Sequence, residues 1–421
     1  MTTRTACVWL ILSFSATFCA LADEGGGKLL VVGKPNTPCP NPGYTTIGAA
    51  VTAAASGDVI AVCPAVYPEQ LVITKPLTLR GLPVNNVSRV LLRPNLAAVS
   101  SMTTEAVITV MNTTGVIIQN LAIDASQNTI TGCGTGVPGL TAVHFSNSSG
   151  LLENSAIFGA QVANPASCIS SLPYGNGIAV QVDESQTGSF IVGIINNSIR
   201  DFTSQGVLVN GAGIQAEIAG NSIVGAGPSS GTFQFAIFLA NGAVGNINHN
   251  VIIEGLCGDL SISDCISQRS EGITLRAIGN GTVVDSNVIA KAQSGIFING
   301  ANQLQVTNNQ IRDIQSMSGM DIQASASGVF TNNVISGNQI FNVGPINSNA
   351  STNEEGCGIN EYSGTGTFSG NQIWANAVTD AYCGVAHVTA DVVNFGVYSD
   401  DLYNEFNSDL YLNAYPPAAE P

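Results

Sequence analysis

A short string built around Asn-x-Ile returns along the chain, and this repeat constrains the fold more than any other feature. Its copies are ENSAI at 153–157, NNSI at 196–199, GNSI at 220–223, HNVI at 249–252, SNVI at 286–289, NNQI at 308–311, NNVI at 332–335, and GNQI at 337–340 and 370–373. The successive asparagines are 24, 29, 37, 22 and 24 residues apart, at Asn197, Asn221, Asn250, Asn287, Asn309 and Asn333. The shortest spacing corresponds to about one coil of a β-solenoid, so the longer ones contain insertions.

A second string precedes the first at a nearly constant offset. It reads QGVLV from 205, FAIFL from 235, EGITL from 271, SGIFI from 294 and SGMDI from 318. Apolar residues alternate within it, as expected for strands with one buried face. Asparagine suits a left-handed turn, and equivalent asparagines of stacked coils can form a hydrogen-bonded ladder. An antiparallel sandwich is the alternative. Two strings in constant order favour an all-β fold, a single right-handed parallel β-helix.

One segment, TTIGAAVTAAASGD at 45–58, has a helical pattern instead. Thr45 or Thr46 can cap it, and Gly57 can end it. Its apolar face consists of Ile47, Ala50, Val51 and Ala54. A solenoid needs its open end covered, so we expect an N-terminal capping helix. The predicted organisation is a signal peptide at 1–22, an N-terminal cap at 23–58, the β-helix at 59–391, and a C-terminal cap and tail at 392–421.

The first residues predict export to a secreted or periplasmic location. Arg4 precedes an apolar run at 9–12, and small residues stand at Ala20 and Ala22, as in a cleaved signal peptide. Eight cysteines remain after cleavage, and an even number in an exported chain favours disulfides. Sequence leaves their connectivity open, but sequential pairing closes local loops and predicts Cys39–Cys63, Cys133–Cys168, Cys257–Cys265 and Cys357–Cys383. Without Cys-x-x-Cys and with three histidines, no metal site is predicted.

Charge and hydropathy limit the partners. The formal net charge of −16 repels phosphates, so a nucleic-acid partner is disfavoured. Hydrophobic residues make up 45% of the chain, which is enough for a packed core. After the signal, no stretch is long and apolar enough to span a membrane. We expect a monomer.

The segment at 44–81 resembles the opening of pectin-methylesterase-like and other β-helices of the pectin-lyase superfamily. It shares the helix, the Gly-Asp turn, a Tyr-Pro-Glu step and the strand Pro-Leu-Thr-Leu-Arg-Gly. The later coils resemble repeats of carbohydrate-binding and sugar-hydrolase domains. The resemblance implies the fold, but such coils serve lyases, hydrolases, esterases, adhesive proteins and maturation factors alike.

Complete catalytic signatures of these enzymes are missing from the sequence. The polygalacturonase strings Asn-Thr-Asp, Gly-Asp-Asp, Gly-His-Gly and Arg-Ile-Lys do not occur, and neither does the pectate-lyase Arg-x-Pro-x-x-Arg. Where a methylesterase has an aspartate in Asp-Phe-Ile-Phe-Gly, the nearest string here runs from Asp201 to Ser204 as Asp-Phe-Thr-Ser. The resemblance therefore assigns no catalytic residue.

Insertions should mark a functional edge, because a solenoid varies in its loops. The long ones, at 163–175, 225–234, 255–270 and 343–356, all follow the Asn-x-Ile strand. Beside them we expect a charged strip of candidate catalytic residues: Glu254, Lys291, Arg312 and Asp313. Carboxylates supply acid, base or calcium chemistry, and Lys or Arg neutralises a uronate. A solvated salt-bridge ladder is the alternative.

The outward positions of the second string predict a second surface with two columns. Leu208, Phe238, Thr274, Phe297 and Asp321 form the first, and Asn210, Arg276, Asn299, Gln323 and Tyr362 the second. Rings beside amides and charges suit sugar binding, so the candidate ligand-binding residues are Phe238, Arg276, Phe297, Asp321 and Tyr362. The alternative is that loops or the C-terminal segment cover the rings.

Two functions follow. The first is a secreted β-helix that binds polysaccharide or cell-envelope glycans without a recognisable catalytic motif. The alternative is a polysaccharide lyase or glycoside hydrolase acting on an extracellular glycan, including uronate-containing ones. We expect no cofactor for the first function, and calcium only if the protein is a lyase.

Overall fold

The computed structural model describes residues 27–35, 39, 42–84, 87–88, 90–97, 104–133, 137–165, 167–168, 176–225, 233–255, 270–315, 317–324, 328–344, 356–362, 367–374, 376–381, 383–388 and 405–406. Three long sheets, here named A, B and C, run side by side, and neighbouring strands within each of them are parallel. The chain passes from A to B to C and back to A in every coil. This order is that of the predicted right-handed parallel β-helix.

Strands are numbered in chain order. Sheet A consists of β1 (Leu29–Val32), β2 (Val59–Val62), β5 (Thr78–Gly81), β10 (Val116–Gln119), β13 (Gly150–Glu153), β16 (Phe190–Ile195), β19 (Ile214–Ala219), β22 (Val244–Asn248), β25 (Val283–Asp285), β29 (Gln305–Thr307), β33 (Val334–Ser336) and β37 (Gln372–Trp374). Sheet B consists of β3 (Ala65–Tyr67), β8 (Val90–Leu92), β11 (Ala122–Asp124), β14 (Ala156–Ala160), β17 (Ser198–Phe202), β20 (Ser222–Val224), β23 (Val251–Ile253), β26 (Val288–Ala290), β30 (Gln310–Gln315), β34 (Gln339–Gly344), β38 (Ala377–Ala381) and β40 (Glu405–Phe406).

Sheet C consists of β4 (Leu71–Ile73), β9 (Thr104–Met111), β12 (Gly139–Ser146), β15 (Ile178–Asp183), β18 (Gln205–Asn210), β21 (Gln234–Ala240), β24 (Ser270–Arg276), β27 (Ser294–Asn299), β31 (Met320–Gln323), β35 (Cys357–Tyr362) and β39 (Cys383–Val388). In three late coils an extra sheet D stands between C and A, formed by β28 (Ala301–Asn302), β32 (Val329–Thr331) and β36 (Thr367–Ser369). The strands β6 (Pro83–Val84) and β7 (Val87–Ser88) form an antiparallel hairpin.

A ladder of buried asparagines fills the turn from sheet A to sheet B. Its members are Asn197, Asn221, Asn250, Asn287, Asn309, Asn338 and Asn376. From Asn221 onward, each Oδ1 accepts hydrogen bonds from the backbone N–H and the Nδ2 of the preceding ladder asparagine, as Asn309 does from Asn287 at 3.0 and 2.9 Å. The Oδ1 of the first member, Asn197, accepts from Ser155 N. Buried polar groups are costly unless paired, so the ladder fixes the stacking of the coils.

The left-handed conformation belongs to the residue before the ladder asparagine at each turn from Asn197 to Asn338. Asn196, His249 and Asn308 have φ of about 55° there, and Gly220 and Gly337 take the same role. The turn and the ladder, expected from one asparagine, therefore belong to two neighbouring residues.

Asn333 is not a member of this ladder, which corrects one repeat spacing. It lies between sheets D and A, where its Oδ1 accepts from Leu304 N and its Nδ2 donates to Asn371. The ladder partner of Asn309 is Asn338, 29 residues later. The string NNVI at 332–335 therefore marks a second turn within the same coil.

The glycines of the second string lie where sheet C comes closest to sheet B. A Cβ on Gly295 would stand 2.4 Å from Ile311 Cγ2 and 2.5 Å from the carbonyl oxygen of Gly319. Gly272 and Gly319 meet the equivalent isoleucines Ile289 and Ile340 in the same way. Glycine recurs in this string because the core at this corner leaves no room for a side chain.

The single helix of the described chain is α1 (Ile47–Ala53). Thr46 caps it, and Glu69 accepts from the N–H groups of Ile47 and Gly48 at 3.0 and 2.8 Å. Ile47, Ala50 and Val51 are buried, and the helix packs against β1, β2 and β4. The role of α1 as the end cap stays a prediction. The predicted segment boundaries also stay predictions. Within the predicted N-terminal cap at 23–58, β1 is already a strand of sheet A. No helix among the described residues is long and apolar enough to cross a membrane.

Two predicted disulfides are confirmed, Cys39–Cys63 and Cys133–Cys168. Cys357 is disulfide-bonded, and the backbone of Cys383 is its neighbour in the next strand of sheet C. Cys257 and Cys265 lie outside the described residues, as does the predicted signal peptide.

Candidate functional site

The long connections between sheets B and C all leave the same corner of the β-helix. They include the connections that join β11 to β12, β14 to β15, β20 to β21, β23 to β24 and β34 to β35. The last four contain the insertions predicted from the sequence. The long connections therefore all lead into sheet C from sheet B, while most turns from C to A are short.

The outer face of sheet C carries the two predicted columns in register. Leu208, Phe238, Thr274, Phe297 and Asp321 are successive partners in neighbouring strands. In the second column Asn210, Ala240, Arg276, Asn299, Gln323 and Tyr362 follow one another in the same way. Neighbouring strands lie about 4.8 Å apart, so each column presents side chains at a regular spacing.

The aromatic rings of the first column are not exposed. Phe238 and Phe297 have 0% and 1% of their surface accessible, and their ring centroids lie 5.9 and 5.1 Å from the Arg276 guanidinium carbon. The expectation that these rings offer a stacking surface to sugars is corrected, because they hold a cation between them instead. Asp321 is also buried, within 3.4 Å of Asn360 Nδ2. The side chain of Tyr362 lies outside the described part.

From Asn210 to Gln323, the accessible groups of the second column are amides and one guanidinium. Asn210, Arg276, Asn299 and Gln323 are half-buried along the second column. The Asn241 Nδ2 donates to Asn210 Oδ1 at 2.8 Å, and Gln323 Nε2 lies 3.3 Å from Asp321 Oδ2. Such groups donate and accept hydrogen bonds at one end while their stems are held by packing.

A cluster of polar side chains that the sequence did not predict lies on the same face in earlier coils. His144 Nε2 lies 3.0 Å from both carboxylate oxygens of Asp183. Gln181 donates from Nε2 to Asp183 Oδ2 at 2.6 Å, and its Oε1 accepts from the Thr141 hydroxyl. Burial alone raises the pKa of Asp183, but the hydrogen bonds from His144 and Gln181 outweigh it, so this pKa is lowered. Extending the first column backward from Leu208 reaches Gln181 and then His144.

The residues of the predicted charged strip occupy neighbouring backbone positions in successive coils, but their side chains differ in solvent exposure. Glu254 N donates to Ala290 O, and Lys291 N donates to Arg312 O, so Glu254, Lys291 and Asp313 occupy equivalent positions of successive coils. However, Glu254 is 1% exposed and Lys291 is exposed. Arg312 and Asp313 pair with each other at 2.6 Å. The four side chains therefore do not form one continuous solvated surface.

Burial dominates the chemistry of Glu254. It raises the pKa of this carboxyl to about 8, against a small opposing effect of Ser270, whose Oγ lies 3.4 Å from Glu254 Oε2. A carboxyl group in such an environment is mostly protonated at neutral pH.

Comparison with known proteins reveals the fold and nothing finer. Neither a protein-family model nor a curated protein matches the chain. Among solved structures, the Dettilon tailspike protein aligns with 92% of this chain and 69% of its own, at 14% identity and a TM-score of 0.51. Pectate lyase Pel9A aligns over 83% and 80% at 14% identity with a TM-score of 0.43. The pectin methylesterase from Aspergillus niger covers 92% of both chains at 13% identity and 0.34.

Proposed function

We propose that this right-handed parallel β-helix belongs with the pectin-lyase-like proteins and is an extracellular protein that binds glycan chains along the outer face of sheet C. The observation that carries the proposal is the second column, in which Asn210, Arg276, Asn299 and Gln323 stand half-buried at regular strand spacing. Fixed amides and a guanidinium are the groups that recognise sugar hydroxyls.

The direction of the second column favours a linear polymer as the ligand. Its members follow one another from strand to strand across sheet C, so the column runs parallel to the β-helix axis. A chain of repeating units lying along this column would meet an outward polar side chain in four of the five coils from Asn210 to Gln323. The disulfides fit an oxidising, extracellular compartment, where such polymers occur.

Charge indicates which glycans to test first. The chain carries a net charge of −16, and Arg276 is held in this column by two phenylalanine rings. Polyanions are repelled at long range, so neutral glycans, or glycans with isolated acidic units that face Arg276, are expected to bind best.

We expect the double variant Asn299→Ala/Gln323→Ala to bind glycans at least about tenfold more weakly than the wild type, because two partly fixed hydrogen-bonding groups are lost. Binding would be measured by affinity electrophoresis and calorimetry on neutral and uronate-containing polysaccharides. The control is Gln215→Ala/Gln305→Ala, which removes two exposed glutamines from the outer face of sheet A. Equal weakening by both double variants would contradict a site on sheet C.

The lyase or hydrolase alternative is tested in the same incubations, by following unsaturated products and reducing ends with and without calcium. Burial raises the pKa of Glu254 to about 8, so this carboxyl would be protonated as a general acid must be. The side chain is buried out of reach of a substrate, however, so we expect no cleavage. Cleavage by the wild type that disappears in Glu254→Gln, Lys291→Ala or Asp313→Ala would show that the protein is an enzyme and not only a glycan-binding protein.

A further inference from the structure

Oxygen atoms converge at the corner where two coils pass from sheet B to sheet C. Gly225 follows β20 and Glu254 follows β23, on the sheet B side of the corner. Gln234 and Ser270 begin β21 and β24 on the sheet C side, where they are direct partners in the sheet. These four residues stand at the roots of two long insertions.

The absence of a side chain at Gly225 makes room for the convergence. A Cβ at this residue would lie 2.3 Å from Glu254 Oε2 and 2.5 Å from Gln234 Oε1, so the two oxygens lie close together against the backbone of Gly225. Gln234 is oriented by its Nε2, which donates to the carbonyl oxygen of Phe202 at 3.0 Å. Ser270 Oγ lies 3.4 Å from both Glu254 Oε2 and the carbonyl oxygen of Gly255.

A second observation indicates that this corner is incomplete as protein alone. Glu254 is 1% exposed, and its Oε1 has no hydrogen-bond partner among the described residues. Leaving a buried acceptor of this kind unsatisfied is costly, and native proteins usually provide a partner, a water or an ion. Burial also favours the neutral carboxyl, and a bound cation would reverse that preference.

We propose that this corner binds a calcium ion through oxygen atoms of Glu254, Gln234, Ser270 and Gly255. Carboxylate, amide, hydroxyl and carbonyl oxygens are the ligands that calcium prefers, and calcium tolerates an irregular arrangement of them. Among the described residues no group of three His, Cys, Asp or Glu lies close enough to hold a metal ion. A site with one carboxylate belongs to the weak class, with Kd of about 10⁻⁴–10⁻³ M, as in extracellular modules.

Calcium at this position would link two connections between sheets B and C. It joins the ends of β20 and β23 to the starts of β21 and β24, so it would hold the roots of both insertions. This role is independent of whether the protein binds or cleaves glycans, and the two proposals can fail separately.

The test is calcium binding to the purified full chain after treatment with EDTA. We expect calorimetric binding of CaCl₂ at millimolar or lower concentration, and a rise in the unfolding midpoint of about 2 °C at tenfold excess over Kd, absent with NaCl of equal ionic strength. Glu254→Gln should abolish both signals. Gly225→Ala should weaken them at least tenfold, because its methyl group occupies the space where the two oxygens meet.

The control variant is Glu217→Gln, which alters a half-buried carboxylate of sheet A that accepts from Asn246 and Asn248. It should bind calcium as the wild type does. No calcium-specific signal in the wild type, or wild-type affinity in Glu254→Gln, would overturn the proposal. If Glu254→Gln does not fold, unchanged calcium affinity in Gly225→Ala decides against it.

Discussion

Replacing Asn309 by alanine is expected to lower the free energy of unfolding by about 3–5 kcal/mol. The side chain accepts from Asn287 N and Nδ2 and donates to Val284 O, all within 3.0 Å and all in the buried turn. Alanine leaves the Asn287 N–H and the Val284 carbonyl without these partners, at about 1–3 kcal/mol for each unsatisfied group. Urea unfolding followed by circular dichroism measures the change.

The neighbouring residue provides the matched control. Asn308 is exposed and has a left-handed φ of 55°, which glycine adopts without strain. Asn308→Gly loses one exposed hydrogen bond to Asp285, so we expect a loss below about 1 kcal/mol. Equal losses for the two variants would mean that the ladder does not fix the stacking of the coils.

The Glu254→Gln variant is expected to change how stability depends on pH. The folded-state pKa of about 8 lies above the ordinary value of 4.5, so the folded protein holds this proton more tightly than the unfolded chain. The resulting contribution is fully present below pH 4.5 and is lost as pH rises through 8. At about 1.4 kcal/mol per pKa unit, the wild type should lose about 3–5 kcal/mol of unfolding free energy across this window.

Glutamine does not titrate, so the variant should lack this slope whatever its absolute stability. Both proteins are measured in EDTA, since calcium would favour the ionised carboxylate. Other ionisable groups, including the neighbouring Glu271 and Lys291, are shared by both proteins and cancel in the difference. Parallel pH profiles for the wild type and Glu254→Gln would show that the carboxyl at 254 is ordinary in the folded state.

The register of sheet C could be predicted from sequence between β18 and β31, because these coils begin the strand with the same short string. Gly206, Gly272 and Gly295 fix where each strand starts, and alternation then assigns inward and outward positions. In the earlier coils β12 and β15 this string is absent, so His144 and Asp183 could not be assigned to the face.

Burial could not be predicted in the same way, because it depends on chain that is distant in sequence. Glu254 and Lys291 hold equivalent positions, yet Glu254 opens a long insertion and is buried, while Lys291 stands in a short connection and is exposed. Likewise, the string around Asn333 matches the ladder string but follows the additional strand β32. The local sequence alone does not distinguish the turn from sheet D to sheet A from the turn from sheet A to sheet B.

Binding along sheet C is tested most directly by photo-crosslinking a bound glycan and mapping the labelled peptides by mass spectrometry. A neutral polysaccharide fragment that binds the protein would carry the photoreactive group. The expected labels fall on β24, β27 and β31, on peptides that contain Arg276, Asn299 and Gln323. Labels confined to strands of sheets A and B, with sheet C unmodified at saturating ligand, would contradict the account.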